Sequence, residues 1–391
     1  MRVTAAFLFL LSSSLAAAGV DYIGSGWDHF YNLEFDQALE DFQKASAQDP
    51  NDLNAHNHIA QTIMFRLMHR AGALESELVT GTNPFLRRAK MEPTAEEHRR
   101  FFQEIDFVLG AARQRLAKNP NDTAALYAQG VAFGFRANYN FLVRKAYLDS
   151  LRDATNGRKA LDRVAALDPS NVDARLGQGA HEYVIGSLSL AFRIVGFLAG
   201  FHGDRENGIR IIRMVAQKGR LNRLDAELML AAIYRRERRP KDAIPLLNDM
   251  IRRFPRNYLL RFELSQMYAD SIDKDSALRV LDEIEKLKRS AAPGYRKLPI
   301  ERVYFSRGVV QFWYRDFNDA VENLKRVTAS APELDLNTAT TAWLRLGQTY
   351  DLLGQRPLAE QAYRSGIALA PQSEQARECR GYLSSPYKRK I

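Results

Sequence analysis

The chain has 391 residues, 46% of them hydrophobic and 26% charged, with a formal net charge of +10 and one cysteine. This composition is typical of a soluble helical protein with enough apolar residues for a core. It excludes an intramolecular disulfide, because Cys379 has no second cysteine to pair with, so packing alone has to stabilise the fold. We expect Cys379 to be a buried or half-buried small residue and not a reactive thiol.

The first 18 residues have the layout of a secretory signal peptide. Met1 and Arg2 precede an apolar run over residues 5–11, and the small residues 16–19 follow it. Alanines stand at the two positions that signal peptidase reads, which predicts cleavage after Ala18 and a periplasmic or extracellular location. An N-terminal membrane anchor is the alternative, although the apolar run is shorter than the ~20 residues that a span needs.

Helical spacing begins directly after this segment. Gly26 and Ala38 have the spacing of two packed helices between residues 20 and 51, and a further helix with Ala60 at its small position is predicted over residues 53–66. Residues 71–93 follow no such spacing and are interpreted as an insertion or a long connection. A long amphipathic helix is then predicted from Ala95 to Lys118.

The middle of the chain repeats this pattern with two enlargements. Helices that carry a central glycine are predicted over residues 123–135 and 172–183, and extra residues separate each of them from its partner helix. The first enlargement covers residues 136–154. The second includes the apolar run 185–201, whose single charge is Arg193. We interpret this run as a buried helix, with a membrane-surface helix as the alternative.

The most regular spacing lies between residues 342 and 371. Bulky, small and helix-terminating residues recur there at fixed offsets: Trp343, Leu346, Gly347, Tyr350, Gly354, Ala359, Tyr363 and Pro371. At Gly347 and Ala359 we expect two antiparallel helices to approach so closely that a larger side chain would clash. The stretch resembles one tetratricopeptide repeat, and Ala243, Ala277 and Ala320 occupy the same repeat position as Ala359.

The resemblance implies an all-α fold, a right-handed solenoid of stacked antiparallel helix pairs, in an exported protein of bacterial type. Within one continuous solenoid, residues 19–222 would form degenerate pairs with insertions and residues 223–373 regular repeats. Residues 374–391 would add a capping helix and a frayed basic tail.

The resemblance also implies a ligand groove, because this family binds ligands through the first helix of each repeat. The positions concerned are apolar and mostly aromatic in this chain: Trp27, Phe30, Tyr31, Phe65, Tyr127, Phe135, Phe262, Phe305, Phe312 and Trp313. The Lys and Asn clamp of chaperone-binding members is absent. We therefore expect the groove to bind an apolar protein or peptide segment. The alternatives are that some of these aromatics are inter-repeat core, or that inserted segments of the chain fill the groove.

Candidate catalytic and metal-binding motifs are incomplete. His181 and Glu182 begin like a zinc-protease signature, but Ile185 stands where the second histidine belongs. His56 and His58 are two residues apart, which places them on different faces of a helix. Gly177 and Gly179 lack the third glycine of a dinucleotide fingerprint. We expect no catalytic residue, no metal and no cofactor.

Positive charge is concentrated between Arg205 and Arg256, a segment that includes the run Arg235, Arg236, Arg238 and Arg239. This run is predicted to lie in a solvated turn between two helices. There it would attract anionic lipid head groups, acidic polymers or an acidic protein face, and a solubilising loop explains it equally well. Nucleic acid is not an expected partner, because no aromatic residues interleave the run.

The repeats and the signal peptide together predict an exported non-enzymatic scaffold. It would mediate protein–protein interaction in an envelope or extracellular assembly. The alternative is a lipid- or small-molecule-binding component of an envelope transport system, in which the enlarged middle helices close a pocket.

Overall fold

The structure is a computed structural model that describes residues 20–74, 91–187 and 203–389. Within these ranges the chain forms 17 α-helices and no strand. The helices of the first half are α1 (Tyr22–Tyr31), α2 (Phe35–Gln48), α3 (Leu53–Arg70), α4 (Ala95–Lys118), α5 (Thr123–Tyr139), α6 (Tyr147–Leu167), α7 (Leu176–Gly186) and α8 (Arg205–Lys218). Those of the second half are α9 (Arg223–Arg236), α10 (Pro240–Arg253), α11 (Tyr258–Asp270), α12 (Lys274–Arg289), α13 (Ile300–Tyr314), α14 (Phe317–Ala329), α15 (Leu336–Leu352), α16 (Arg356–Leu369) and α17 (Glu374–Ser384).

Each described helix packs against its neighbours along the chain, so that antiparallel pairs are stacked in sequence order. The sequence specifies where many of them begin. The side chains of Asp21, Asp52 and Asp122 accept hydrogen bonds from backbone amides in the first turns of α1, α3 and α5. Thr94 and Glu97 form a reciprocal capping box at the start of α4. The predicted all-α solenoid of stacked helix pairs is confirmed.

Small residues stand where the two helices of a pair come closest. A Cβ atom at Gly347 would lie 2.4 Å from Cε1 of Tyr363, and one at Gly26 would lie 2.5 Å from Cε1 of Phe42. These separations are far below van der Waals contact, so each glycine accommodates the ring that faces it. Ala359 is fully buried, as the repeat spacing predicts.

The first predicted enlargement lengthens helices. The chain continues from α5 through a π-helical turn, Asn140–Arg144, before α6 begins. The buried carboxylate of Asp153 in α6 joins the two elements, because it accepts two hydrogen bonds from Arg136, at 2.7 and 2.9 Å, and one from Asn140 at 3.0 Å. These hydrogen bonds stabilise the negative charge of the carboxylate inside the helix pair.

Three sequence expectations lie outside the described residues. They are the signal peptide of residues 1–18, most of the insertion 71–93, and residues 188–201 of the apolar run. Over the part of the chain that is described, no helix combines the length and the apolar character needed to cross a bilayer.

The C-terminal segment differs from the expected frayed tail. Residues 385–389 lie against α13, α15 and α17, where the backbone N–H of Tyr387 donates a 2.8 Å hydrogen bond to Asp351. The side chain of Arg389 donates one of 2.9 Å to the backbone oxygen of Trp313. The two acceptors lie on α15 and α13, which are distant from the tail in sequence. Spacing along the chain therefore does not predict these contacts. Cys379 in α17 is fully buried, as expected.

Candidate functional site: an apolar cavity inside the solenoid

A cavity of about 350 Å³ lies between the N-terminal helices α1 to α3 and the inner helices α9, α11, α13 and α15. Its walls are mostly apolar and aromatic. Phe30, Tyr31 and Phe65 contribute the N-terminal side, and Phe262 and Phe305 line the opposite side. The first helices of distant repeats therefore meet around one partly open cavity, although they are far apart in sequence.

A few polar groups interrupt this apolar wall. Arg235 in α9 pairs with Glu263 in α11 at 3.0 Å, and the guanidinium of Arg302 lies 5.6 Å from the ring centroid of Phe262. A cation over an aromatic face is stabilised by the ring quadrupole. The cavity therefore combines apolar surface with charged groups that are held in place by neighbouring side chains, as in sites that orient a bound group.

The N-terminal helix pair binds the segment between α10 and α11, next to the cavity. We call the contacts of Asp28, Tyr31, Asn32 and Glu34 with this segment the N-terminal clasp. Arg256 is its centre. Its side chain reaches Glu34 at 2.9 Å and Asp28 at 2.5 Å, and its backbone N–H donates a 2.9 Å hydrogen bond to Asn32. The solenoid is thus closed by charge-assisted hydrogen bonds at this point.

Three further contacts fasten the N-terminal helices. The side-chain amide of Asn257 donates a 2.7 Å hydrogen bond to the backbone oxygen of Tyr31, whose hydroxyl in turn donates one of 3.0 Å to Asp225. His69 in α3 lies 2.8 Å from the hydroxyl of Tyr258. Burial raises the pKa of Asp225 to about 6 and the pKa of Tyr31 well above its usual value.

The predicted groove residues separate into several groups. Five line the cavity: Phe30, Tyr31, Phe65, Phe262 and Phe305. Trp27 packs between the first helix pairs, with its ring centroid 4.5 Å from that of His58. Tyr127 is buried with Leu126 and Val164 in a separate cluster, and Phe135 packs against the main core. Phe312 and Trp313 contact the C-terminal tail.

Sequence reasoning missed several cavity residues, among them Leu228, Val309 and Arg302. Leu228 and Val309 are aliphatic, so they do not differ from ordinary core positions in the sequence. Arg302 belongs to the site because Phe262 of the preceding helix pair lies under its guanidinium. The periodic spacing of residues within one repeat does not predict such contacts between repeats.

The four arginines predicted as a solvated patch do not share one environment. Arg236 and Arg238 are exposed, whereas Arg239 is half-buried and pairs with Asp242 at 2.7 Å. Arg235 differs from the expectation. Its side chain is 9% exposed and faces the cavity, because its positive charge is paired with Glu263 of the adjacent repeat.

The histidines singled out in the sequence serve other contacts. His56 pairs with Glu104 at 2.7 Å, and His181 lies 3.3 Å from the guanidinium of Arg158. Burial lowers the pKa of His58 to about 3, which keeps that imidazole neutral. Within residues 20–74, 91–187 and 203–389, no three His, Cys, Asp or Glu side chains are grouped as metal ligands would be.

Comparison with known proteins identifies the repeat. The sequence profile of the tetratricopeptide repeat family matches residues 228–294, which include most of α9 and helices α10 to α12. No curated protein matches the chain. This match identifies a tetratricopeptide repeat over residues 228–294, and the described helix pairs on either side of it are stacked in the same way.

Several solved structures are similar to the chain at low sequence identity. A chain of the APC/C hetero-tetramer Cut9–Hcn1 is 13% identical, with a TM-score of 0.49; the match covers 92% of the present chain and 54% of that chain. Yeast Tom70 is 12% identical over 93% of this chain and 88% of its own, with a TM-score of 0.40. YrrB, described as a TPR protein with an unusual peptide-binding site, is 15% identical over 70% and 99%, with a TM-score of 0.31. The chain thus spans about half the length of the Cut9–Hcn1 chain that it resembles.

Proposed function

We propose that the protein is an exported scaffold that binds an apolar segment of another envelope or extracellular protein in the cavity. The observation that carries the proposal is the convergence of Phe30, Phe65, Phe262 and Phe305 on one apolar cavity. Large aromatic side chains in a desolvated pocket concentrate binding energy, and solenoids typically present such surfaces on their inner face. The signal-peptide layout of residues 1–18 supports export.

The size of the cavity limits what enters it. A cavity of about 350 Å³ has room for large apolar side chains that project from a bound segment. We therefore propose that one or two large apolar side chains of the partner insert between the rings of Phe65 and Phe305.

A second candidate function is favoured by the N-terminal clasp. The contacts of Arg256 with Asp28 and Glu34 hold the N-terminal helices beside the cavity, and a cavity of this size suits a small apolar ligand. Small-molecule sites have volumes of about 300–1,000 Å³, and the present value lies within that range. On this proposal the protein is a lipid- or small-molecule-binding component of an envelope transport system.

Native mass spectrometry of protein purified from its own envelope distinguishes these functions. A co-purifying polypeptide supports the scaffold, whereas a retained lipid or metabolite supports the carrier. The variant Phe262→Ala removes one ring from the cavity wall and should lose the bound species. The matched control is Phe107→Ala, because Phe107 is 44% exposed and lies outside the cavity. Retention by both variants at unchanged unfolding temperature would place the binding surface elsewhere.

The exposed Arg236 and Arg238 support an additional weak contact with an anionic membrane surface. Co-sedimentation with phosphatidylglycerol vesicles should then fall in the double variant Arg236→Gln/Arg238→Gln and in high salt. Equal sedimentation of this variant and the unmodified chain would identify the two arginines as solubilising residues. Nucleic acid is not part of the proposal.

A further inference from the structure

The last described residues, 385–389, cross helices α13, α15 and α17 as an extended segment. The side chains of Tyr387 and Arg389 are half-buried, whereas Pro386 and Lys388 are exposed. Such alternation is expected of an extended chain in which every second residue faces the protein. The tail is therefore held through residues two positions apart, as an extended peptide ligand is held.

Tyr387 makes a backbone contact and an aromatic contact. Its N–H donates a 2.8 Å hydrogen bond to Oδ2 of Asp351, a carboxylate that is 1% exposed and also accepts a 2.8 Å hydrogen bond from the hydroxyl of Tyr363. Its ring centroid lies 5.2 Å from that of Tyr382 and 6.2 Å from that of Phe312. The fixed acceptor sets the position of the peptide backbone, and the rings favour an aromatic side chain.

Arg389 makes a second pair of contacts two residues further on. Its guanidinium lies 5.5 Å from the ring centroid of Trp313, and its Nη2 donates a 2.9 Å hydrogen bond to the backbone oxygen of the same residue. The guanidinium of Arg345 lies 5.2 Å from the same indole. Two guanidinium groups therefore contact the same indole, which itself remains 44% exposed.

We propose that Phe312, Trp313, Asp351 and Tyr382 form a docking site for extended segments with the pattern aromatic-x-arginine, which we call the tail site. The tail of the chain itself is its resident occupant. A partner segment of the same chemistry displaces the tail and takes its contacts. The tail site lies outside the apolar cavity, so this inference extends beyond the proposed function and does not depend on it.

The occupied tail site predicts strong competition between the tail and an added peptide. A short tethered segment has an effective concentration of about 1 mM at its own site, so a peptide with an intrinsic Kd of about 10 µM should bind an intact chain on the order of 100-fold more weakly. Removing the contacts of the tail should restore the intrinsic affinity. This difference is the quantity to be measured.

The test uses a fluorescent peptide of residues 385–389 and fluorescence anisotropy. The receptors are the full chain and the full-length double variant Tyr387→Ala/Arg389→Ala, which keeps every helix and changes only the tail. We expect the double variant to bind the peptide at least about 10-fold more tightly than the full chain. Adding Trp313→Ala to this receptor should abolish binding at unchanged helix content, because Trp313 is 44% exposed and contributes little to the core.

Peptide variants serve as controls that leave the receptor unchanged. Alanine in place of Tyr387 or Arg389 in the peptide should remove binding, whereas alanine in place of Lys388 should not, since that side chain is exposed. Equal affinity of the two receptors would overturn the proposal. So would an equal loss from all three peptide variants, which would indicate non-specific attraction of a basic peptide.

Discussion

The hydroxyl of Tyr31 in α1 donates a 3.0 Å hydrogen bond to the carboxylate of Asp225 in α9, across 194 residues of sequence. No contact within one repeat explains this bond. It exists because the solenoid curves until its first helix pair meets the segment that follows α10, where Arg256 binds Asp28 and Glu34. The cavity between these elements therefore depends on how the two parts of the chain are fastened together.

The first prediction concerns the fastening itself. The variant Arg256→Gln removes the ionic contacts with Glu34 and Asp28 and should lower the free energy of unfolding by about 1–2 kcal/mol, since these are partly exposed charge-assisted hydrogen bonds. Hydrogen exchange should accelerate in α1 and α2 while remaining unchanged in α13 to α16. Urea unfolding and exchange followed by mass spectrometry measure the two effects.

A matched control for this variant is Arg252→Gln. Arg252 is 71% exposed and pairs with Asp249 of its own helix at 2.9 Å. Its replacement therefore removes a similar charge without changing the clasp. Exposed pairs of this kind contribute little to stability. If both variants had the same exchange pattern, the clasp would not be the element that holds the N-terminal pair.

The second prediction uses the pKa of Asp225, which burial raises to about 6 from the usual 3.8. The folded chain then binds a proton more tightly than the unfolded chain, so the contribution of this group to stability is complete below about pH 4. It is lost as the pH rises to about 6. The variant Asp225→Asn still accepts the bond from Tyr31 and cannot ionise. The free energy of unfolding of this variant should exceed that of the unmodified chain by on the order of 2 kcal/mol at pH 7. This gain in stability should vanish at pH 4.

Urea unfolding at several pH values between 4 and 7 measures this difference. The control is Asp106→Asn, because Asp106 is 69% exposed and its nearest cation, Arg136, is 4.0 Å away. Its effect should be small at every pH in the series. A gain for Asp225→Asn that does not depend on pH would mean that ionisation of this carboxylate is not the cause.

The third prediction concerns export. The charged, apolar and small-residue segments at the N-terminus predict cleavage after Ala18, so N-terminal sequencing of the mature protein should begin at Gly19. Replacing Ala16 and Ala18 with bulky residues should block processing and leave the precursor in the membrane fraction. An intact Met1 in cytoplasmic protein would rule out the signal peptide.

Local packing could be predicted from the sequence, whereas contacts between distant repeats could not. The bounds of α4 and the small positions Gly26 and Gly347 follow from spacing within a few helical turns. Arg235 was expected in solvent because its neighbours in sequence are charged, yet its partner Glu263 comes from the next helix pair. The basic composition of the tail predicts fraying, whereas the structure places an acceptor for the Tyr387 N–H on Asp351 of α15.

The set of residues that line the cavity also depends on contacts between distant repeats. Five of the ten predicted groove aromatics line it, and these five come from α1, α3, α11 and α13. Repeat position identifies a residue as inward-facing, but the curvature of the whole solenoid decides which inward-facing residues meet. Curvature arises from the sum of many small packing angles between helix pairs, and no single residue determines it.

The last prediction tests the repeat register at the closest approach of α15 and α16. A Cβ at Gly347 would lie 2.4 Å from a ring carbon of Tyr363, and that ring is fixed because its hydroxyl donates a 2.8 Å hydrogen bond to Asp351. The ring cannot move aside without losing this bond. Gly347→Ala should therefore lower the free energy of unfolding by about 1–3 kcal/mol, as overpacking in a core does, and Ala359→Leu should cost a similar amount.

Gly110→Ala is the control, because Gly110 lies inside α4 and a Cβ there has no neighbour within 4 Å. Alanine favours the helix over glycine, so this variant should gain about 0.5–1 kcal/mol. The same substitution thus changes the free energy of unfolding in opposite directions at two helical glycines. The direction depends on whether a second helix faces the glycine. Unchanged thermal unfolding of both Gly347→Ala and Ala359→Leu would show that the assigned register of this repeat is wrong.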